Sequence, residues 1–140
     1  MKFWKKVVAV FVALMLFISI CIVLFIRSLP DLCSNEVITE VISPNGKMKA
    51  VTFHRDCGAT TDFSTHVIII PITSTLEKEG SSIFVANTNK GKAPAGQGGG
   101  PEVRTRWLSA DKLQIEYHKL AGVRRSETKS NGTDILYETF

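Results

Sequence analysis

The reactive side-chain types of this chain gather in one short stretch, His54-Arg55-Asp56-Cys57, with His66 a little further on. On an extended strand His54 and Asp56 fall on one face, because side chains alternate with period two. If strands over 48–57 and 65–73 pair about a centre near residue 60, His54 comes opposite His66. Two imidazoles and a carboxylate, His54, Asp56 and His66, would then make a ligand set with open coordination positions, as in a metal-binding or metal-dependent hydrolytic protein. The spacing is generic, and solvated or locally hydrogen-bonded side chains are the competing reading. A Cys57 nucleophile with His54 or His66 as base would need a free thiolate. Ser64 lacks a Gly-x-Ser-x-Gly context; with Thr60, Thr61 and Asp62 it suits turn formation and side-chain-to-backbone hydrogen bonds. His-Arg-Asp also occurs in kinases, but nothing else of a kinase is present. No catalytic set and no cofactor is therefore expected, with the His54, Asp56 and His66 metal set as the alternative.

Whether Cys57 is a thiol depends on the compartment, and charge distribution addresses that. The 140 residues carry 17 Lys+Arg and 13 Asp+Glu, a net +4. Every acidic residue lies at or after Asp31, and only Lys2, Lys5, Lys6 and Arg27 among the bases precede it. That leaves 13 basic against 13 acidic residues from Asp31 onward, a neutral remainder that gives nucleic acid no electrostatic footing. The excess flanks residues 7–26, VVAVFVALMLFISICIVLFI, an uncharged run of 20 residues without Gly or Pro. As a helix it spans about 30 Å, the thickness of bilayer hydrocarbon. A cleaved signal peptide has a shorter apolar region and an Ala-x-Ala-like site, and Ile-Arg-Ser-Leu-Pro offers none. Cys21 and Cys33 are also poorly placed for lipoprotein processing, with Ile20 and Leu32 directly before them. The run reads as an uncleaved signal anchor that contacts the lipid bilayer. Three lysines on one side and Arg27 alone on the other put residues 1–6 in the cytoplasm and the rest outside it, in a single-pass inner-membrane topology.

Cysteine usage agrees with export. Cys21 lies inside the apolar run as a small apolar residue. Cys33 and Cys57 remain, and in an oxidising compartment their default is a disulfide, with two free thiols as the alternative. Closing a loop of 25 residues would stabilise the fold by roughly 3.5 kcal/mol of chain entropy.

After a linker over 27–35, the domain 36–140 shows strand patterns rather than helical periodicity. Glu36–Ile42 is rich in β-branched residues; Ser43-Pro44-Asn45-Gly46-Lys47 supplies turn chemistry; Met48–Cys57 returns. Thr65–Thr73 is apolar on both faces and should be the most buried strand. Ser82–Ala86 is a short fourth. Val103, Thr105 and Trp107 alternate with Arg104 and Arg106, and Leu113, Ile115 and Tyr117 with polar partners. Val123–Lys129 and Thr133–Glu138 flank Asn131-Gly132, a strong hairpin signal. The expectation is an all-β fold, a small antiparallel sheet or sandwich of about seven or eight strands. Its core candidates are Phe53, Ile69, Phe84, Trp107, Leu113, Ile115 and Tyr137.

Residues 88–101 hold five of the ten glycines with Pro94 and Pro101, a flexible-loop composition. A phosphate cradle would need a helix N-terminus next, and Pro101 with a strand follows instead. The segment should hinge or cover the sheet, or order on a partner. The bases Arg104, Arg106, Lys112, Lys119, Arg124, Arg125 and Lys129 interleave with acids, which suits a solvated face with cross-strand ion pairs.

Ser43-Pro44-Asn45-Gly46-Lys47 resembles the hairpin of β-propeller blades, although no blade-length repeat accompanies it. With Arg55-Asp56-Cys57-Gly58-Ala59-Thr60-Thr61-Asp62-Phe63-Ser64-Thr65, Gly100-Pro101-Glu102-Val103 and Trp107, residues 33–120 resemble a family of small bacterial membrane-anchored or secreted proteins of unknown function. The resemblance implies a bacterial envelope location and a paired Cys33 and Cys57, and brings no activity. The functional expectation is a non-catalytic binding module for an envelope protein or cell-wall partner.

Overall fold

The computed structural model describes residues 1–28, 33–58, 62–76 and 80–140. Two compact units divide the chain, residues 1–32 and 33–140. The first contains one helix, α1 (Lys2–Ser28), long and apolar enough to cross a membrane. It buries none of its residues within the protein. Its hydroxyls are satisfied internally, Ser19 Oγ donating to Met15 O at 2.8 Å and Ser28 Oγ to Phe25 O at 2.8 Å.

The second unit is a sandwich of two sheets. Strands β1 (Ser34–Ile42), β2 (Met48–Asp56), β3 (Ser64–Pro71), β4 (Phe84–Asn87) and β7 (Gly122–Ser126) form one sheet in the order β1-β2-β3-β4-β7. Strands β5 (Val103–Ser109), β6 (Lys112–Tyr117), β8 (Lys129–Ser130) and β9 (Thr133–Thr139) form the other, in the order β5-β6-β9-β8. All pairs are antiparallel except β6 with β9.

The β1–β2 turn follows its sequence chemistry. Ser43 O accepts from Gly46 N at 2.8 Å, Asn45 Oδ1 accepts from Ser43 Oγ at 2.8 Å, and Gly46 takes φ +67°. At the other end of the ladder Ser34 pairs with Asp56, and the next residues outward, Cys33 and Cys57, are joined by a disulfide.

The main core lies between the sheets. Ala50, Val67, Ile69, Phe84 and Ala86 pack against Leu113, Ile115 and Ile135, with Trp107, Tyr117 and Tyr137 at the margin. Strand β3 is indeed apolar on both faces: Ile68 and Ile70 turn away from the second sheet and join Val51, Phe53 and Leu76 in a second buried cluster. Phe53 thus belongs to that outer cluster and not to the core between the sheets. Burial and the neighbouring Glu127 push the Tyr137 phenol up to about 12, while its hydroxyl donates to Glu127 O at 2.6 Å.

The last third of the chain departs from expectation. Asn131-Gly132 makes its turn, with φ +48° and +76°. However, it joins β9 to the two-residue β8 rather than to a strand over 123–129. Residues Gly122–Ser126 instead pair with β4 in the first sheet, and β9 lies parallel to β6 in the second. The chain changes sheets at Glu127-Thr128, whose backbone is held by Ile83 O and Ile135 N at 2.9 Å each. One expected strand is therefore two, and the described strands number nine.

Candidate functional site

The β2–β3 register decides the fate of the His54, Asp56 and His66 set. Phe53 faces His66, and His54 faces Thr65. A shift of one residue from the expected pairing reverses faces, so the two imidazoles lie on opposite sides of the sheet and cannot share a metal. Among the described residues no group of three His, Cys, Asp or Glu could hold one. Asp56 Oδ1 accepts from Gly58 N at 2.9 Å, a turn bond beside the disulfide. The disulfide also removes Cys57 as a nucleophile.

His66 is held between two hydroxyls, Nε2 2.8 Å from Ser64 Oγ and Nδ1 2.9 Å from Ser82 Oγ, and its ring stacks on Phe53 at 5.1 Å. Burial first, then the positive charge of Arg55 and the neighbouring His54, lower its pKa to about 4. The ring is neutral at pH 7. So weak a base is poorly matched to proton abstraction near neutrality. Its bonds tie β3 to the segment entering β4. The turn role expected of Ser64 is thus partly replaced by this contact, and Thr60 and Thr61 lie outside the described residues.

His54 sits on the inner side, nearly buried, against Phe63 at 5.4 Å. The glycine-rich loop closes over it. A Cβ on Gly98 would stand 2.7 Å from His54 Cβ and Cγ, and one on Gly100 would overlap Thr65 Oγ1 and stand 2.9 Å from Thr65 N. These glycines serve close approach to the sheet. The loop is further fixed by the Gly96 N to Gly100 O bond at 2.7 Å and by Thr65 Oγ1 donating to Pro101 O at 2.7 Å. Pro101 leads into β5, not a helix, as a phosphate cradle would need.

Fixing this loop builds a groove. Its walls are one edge strand of each sheet, β1 and β5, and the loop at Gly96–Gln97 contributes to the lining. It is open-sided, with a volume of about 480 Å³, within the size range of ligand sites. Two features shape it. The β1–β2 register shifts between Val37 and Thr39, so Ile38 is a bulge residue; bulges bend a strand and re-aim its side chains, and Ile38 lines the groove. At Val41 the strand is pinned, since Trp107 Nε1 donates to Val41 O at 2.8 Å. The lining is mixed: Ile38, Val41 and Val103 are apolar, Thr39, Gln97 and Thr105 polar, and Glu102 and Arg104 charged. The two charges bind each other, Arg104 Nε to Glu102 Oε1 at 2.8 Å. Thr105 Oγ1 is buried with no hydrogen-bond partner, as are Thr52 Oγ1 and His54 Nδ1 on the facing strand β2. A buried hydroxyl without a partner costs about 1–3 kcal/mol.

The remaining bases mostly stay within their own surface. Arg125 pairs with Glu127 at 3.1 Å and Lys129 with Asp134 at 3.4 Å. Arg106 Nη2 donates to Gln114 Oε1 at 2.8 Å, and Gln114 Nε2 donates to Glu116 and Glu138. The bases thus lie on both sheets, and of these ion pairs Lys129–Asp134 crosses strands while Arg104–Glu102 and Arg125–Glu127 are two residues apart in sequence. The groove itself was not anticipated; the one sequence signal toward it is Thr105, a hydroxyl in an inward row between Val103 and Trp107.

Comparison with protein families, with curated proteins and with solved structures returns no match.

Proposed function

We propose that the protein is a bacterial envelope component. In this reading α1 anchors it in the inner membrane with its N-terminus in the cytoplasm, and the β domain outside is a non-catalytic module that binds an envelope protein or cell-wall partner through the β1–β5 groove. The groove carries the reading, because it is built by specific devices: a bulge, an indole-to-carbonyl bond and glycines that admit the loop. Two further features support the location. The Cys33–Cys57 disulfide suits an oxidising compartment. Lys2, Lys5 and Lys6 occupy the helix N-terminus, where the macrodipole disfavours cations; the positive-inside rule explains them where helix stability does not.

The experiment is photo-crosslinking in a bacterial host that makes the full chain. A benzophenone amino acid at Thr39 or Gln97 should capture a discrete envelope species, and the same probe at Lys129, on the far edge of the second sheet, should not. Equal capture at all three positions, or none at any, would remove the groove as the binding site. Non-reducing mass spectrometry of the purified protein reads both the disulfide and retention of the N-terminal segment.

A further inference from the structure

We infer that the ligand of this groove is an extended, uncharged peptide segment that pairs its main chain with the open edge of β5. This rests on the binding reading above and names its partner class. Strand β5 ends its sheet, so its side away from β6 has no strand neighbour. Its ladder with β6 is regular from Val103 to Trp107 and shifts only beyond. A regular, unpaired edge offers alternating donors and acceptors, and an added strand satisfies them. The opposite wall is β1, bulged at Ile38 and tied to β5 where Trp107 bonds Val41 O. Between these points about four extended residues fit at ~3.3 Å each.

The chemistry of the walls narrows the class further. Glu102 and Arg104 neutralise each other, so a charged segment would gain no net partner and would lose its hydration. Ile38 and Val41 face an apolar side chain on the segment, and Gln97 offers amide hydrogen bonds. Thr105, which lines the groove, has a buried hydroxyl without a partner that a bound chain can satisfy.

The test uses the full chain in lipid nanodiscs and a phage-displayed library of random 12-residue peptides, with empty nanodiscs as counter-selection. Enriched peptides should share a neutral run of about four residues rich in Val, Ile and Thr. Their affinity should fall at least tenfold on Thr39→Arg or Gln97→Trp, which charge or fill the groove. Hydrogen exchange of the wild-type protein should show new protection at Val103–Thr105 on peptide addition, a readout that does not depend on either variant folding. Enrichment of nothing, enrichment only of charged peptides whose binding vanishes with salt, or protection away from β5 would each overturn the inference. A groove-dependent photo-crosslink without any peptide enrichment would remove the inference and leave the binding reading standing.

Discussion

Acid should weaken the β domain through one residue. His66 is neutral in the folded protein down to about pH 4, because burial, Arg55 and His54 all oppose its charge. In the unfolded chain the same ring titrates near 6.5. Between these values the unfolded state binds a proton that the folded state refuses. Stability is therefore unaffected above pH 6.5, falls as the pH drops toward 4, and levels off below. The interval from 6.5 to about 4 sets a ceiling of about 3 kcal/mol at 1.36 kcal/mol per pH unit. The ring is partly open to solvent, so screening lowers the expected loss to about 1–2 kcal/mol. Urea unfolding of the full chain in detergent measures it, with Trp4→Phe introduced so that Trp107 alone reports. His66→Gln keeps groups able to bond Ser64 and Ser82 but does not titrate, and carboxylate effects cancel in the comparison. The wild type should lose about 1–2 kcal/mol more than the variant between pH 6.5 and 4, and the His66 ring proton should titrate near 4 by NMR. An equal acid slope in the two proteins, or a ring titration near 6.5, would refute the burial argument.

Three other substitutions probe the framework. Replacing both Cys33 and Cys57 by Ser should cost about 3.5 kcal/mol, read as a lower urea midpoint with a steeper slope, because the unlinked denatured chain exposes more surface. Gly100→Ala should destabilise by at least about 2 kcal/mol, since its Cβ collides with the Thr65 hydroxyl and backbone, whereas Gly80→Ala, with nothing near, should change stability by less than about 0.5 kcal/mol. Trp107→Phe removes the bond to Val41 O; a loss of about 1 kcal/mol is expected, with faster amide exchange along β1.

What could be read in advance follows the range of the interaction involved. The apolar helix, the β1–β2 turn and the two-faced burial of β3 rest on neighbouring residues, and each was legible. Asn131-Gly132 was legible as a turn, but a turn does not name its strands. Only Lys129 and Ser130 precede it in the hairpin, and β9 takes its longer pairing from β6, some twenty residues earlier in the chain. The histidine pair failed for a narrower reason. Period-two alternation makes facing sensitive to a single residue of register, and the residues that connect β2 and β3 carry no signal that fixes it. The groove was hidden most completely, because Ile38 and Thr105 come to line one groove only once two sheets have stacked. A bulge leaves no mark in composition.

The disulfide changes how the domain would bear a load. A pull transmitted from the apolar helix enters the β domain at Cys33, at the start of β1. Strand β1 is the first strand of its sheet and is held by β2 alone. Tension on such a strand would break its ladder rung by rung, the weakest way to load a sheet. The bond to Cys57 shares that tension with the end of β2, which has strands on both sides. The first rungs of the β1–β2 ladder are thus not loaded alone. The disulfide turns a load on an edge strand into one borne by two strands together.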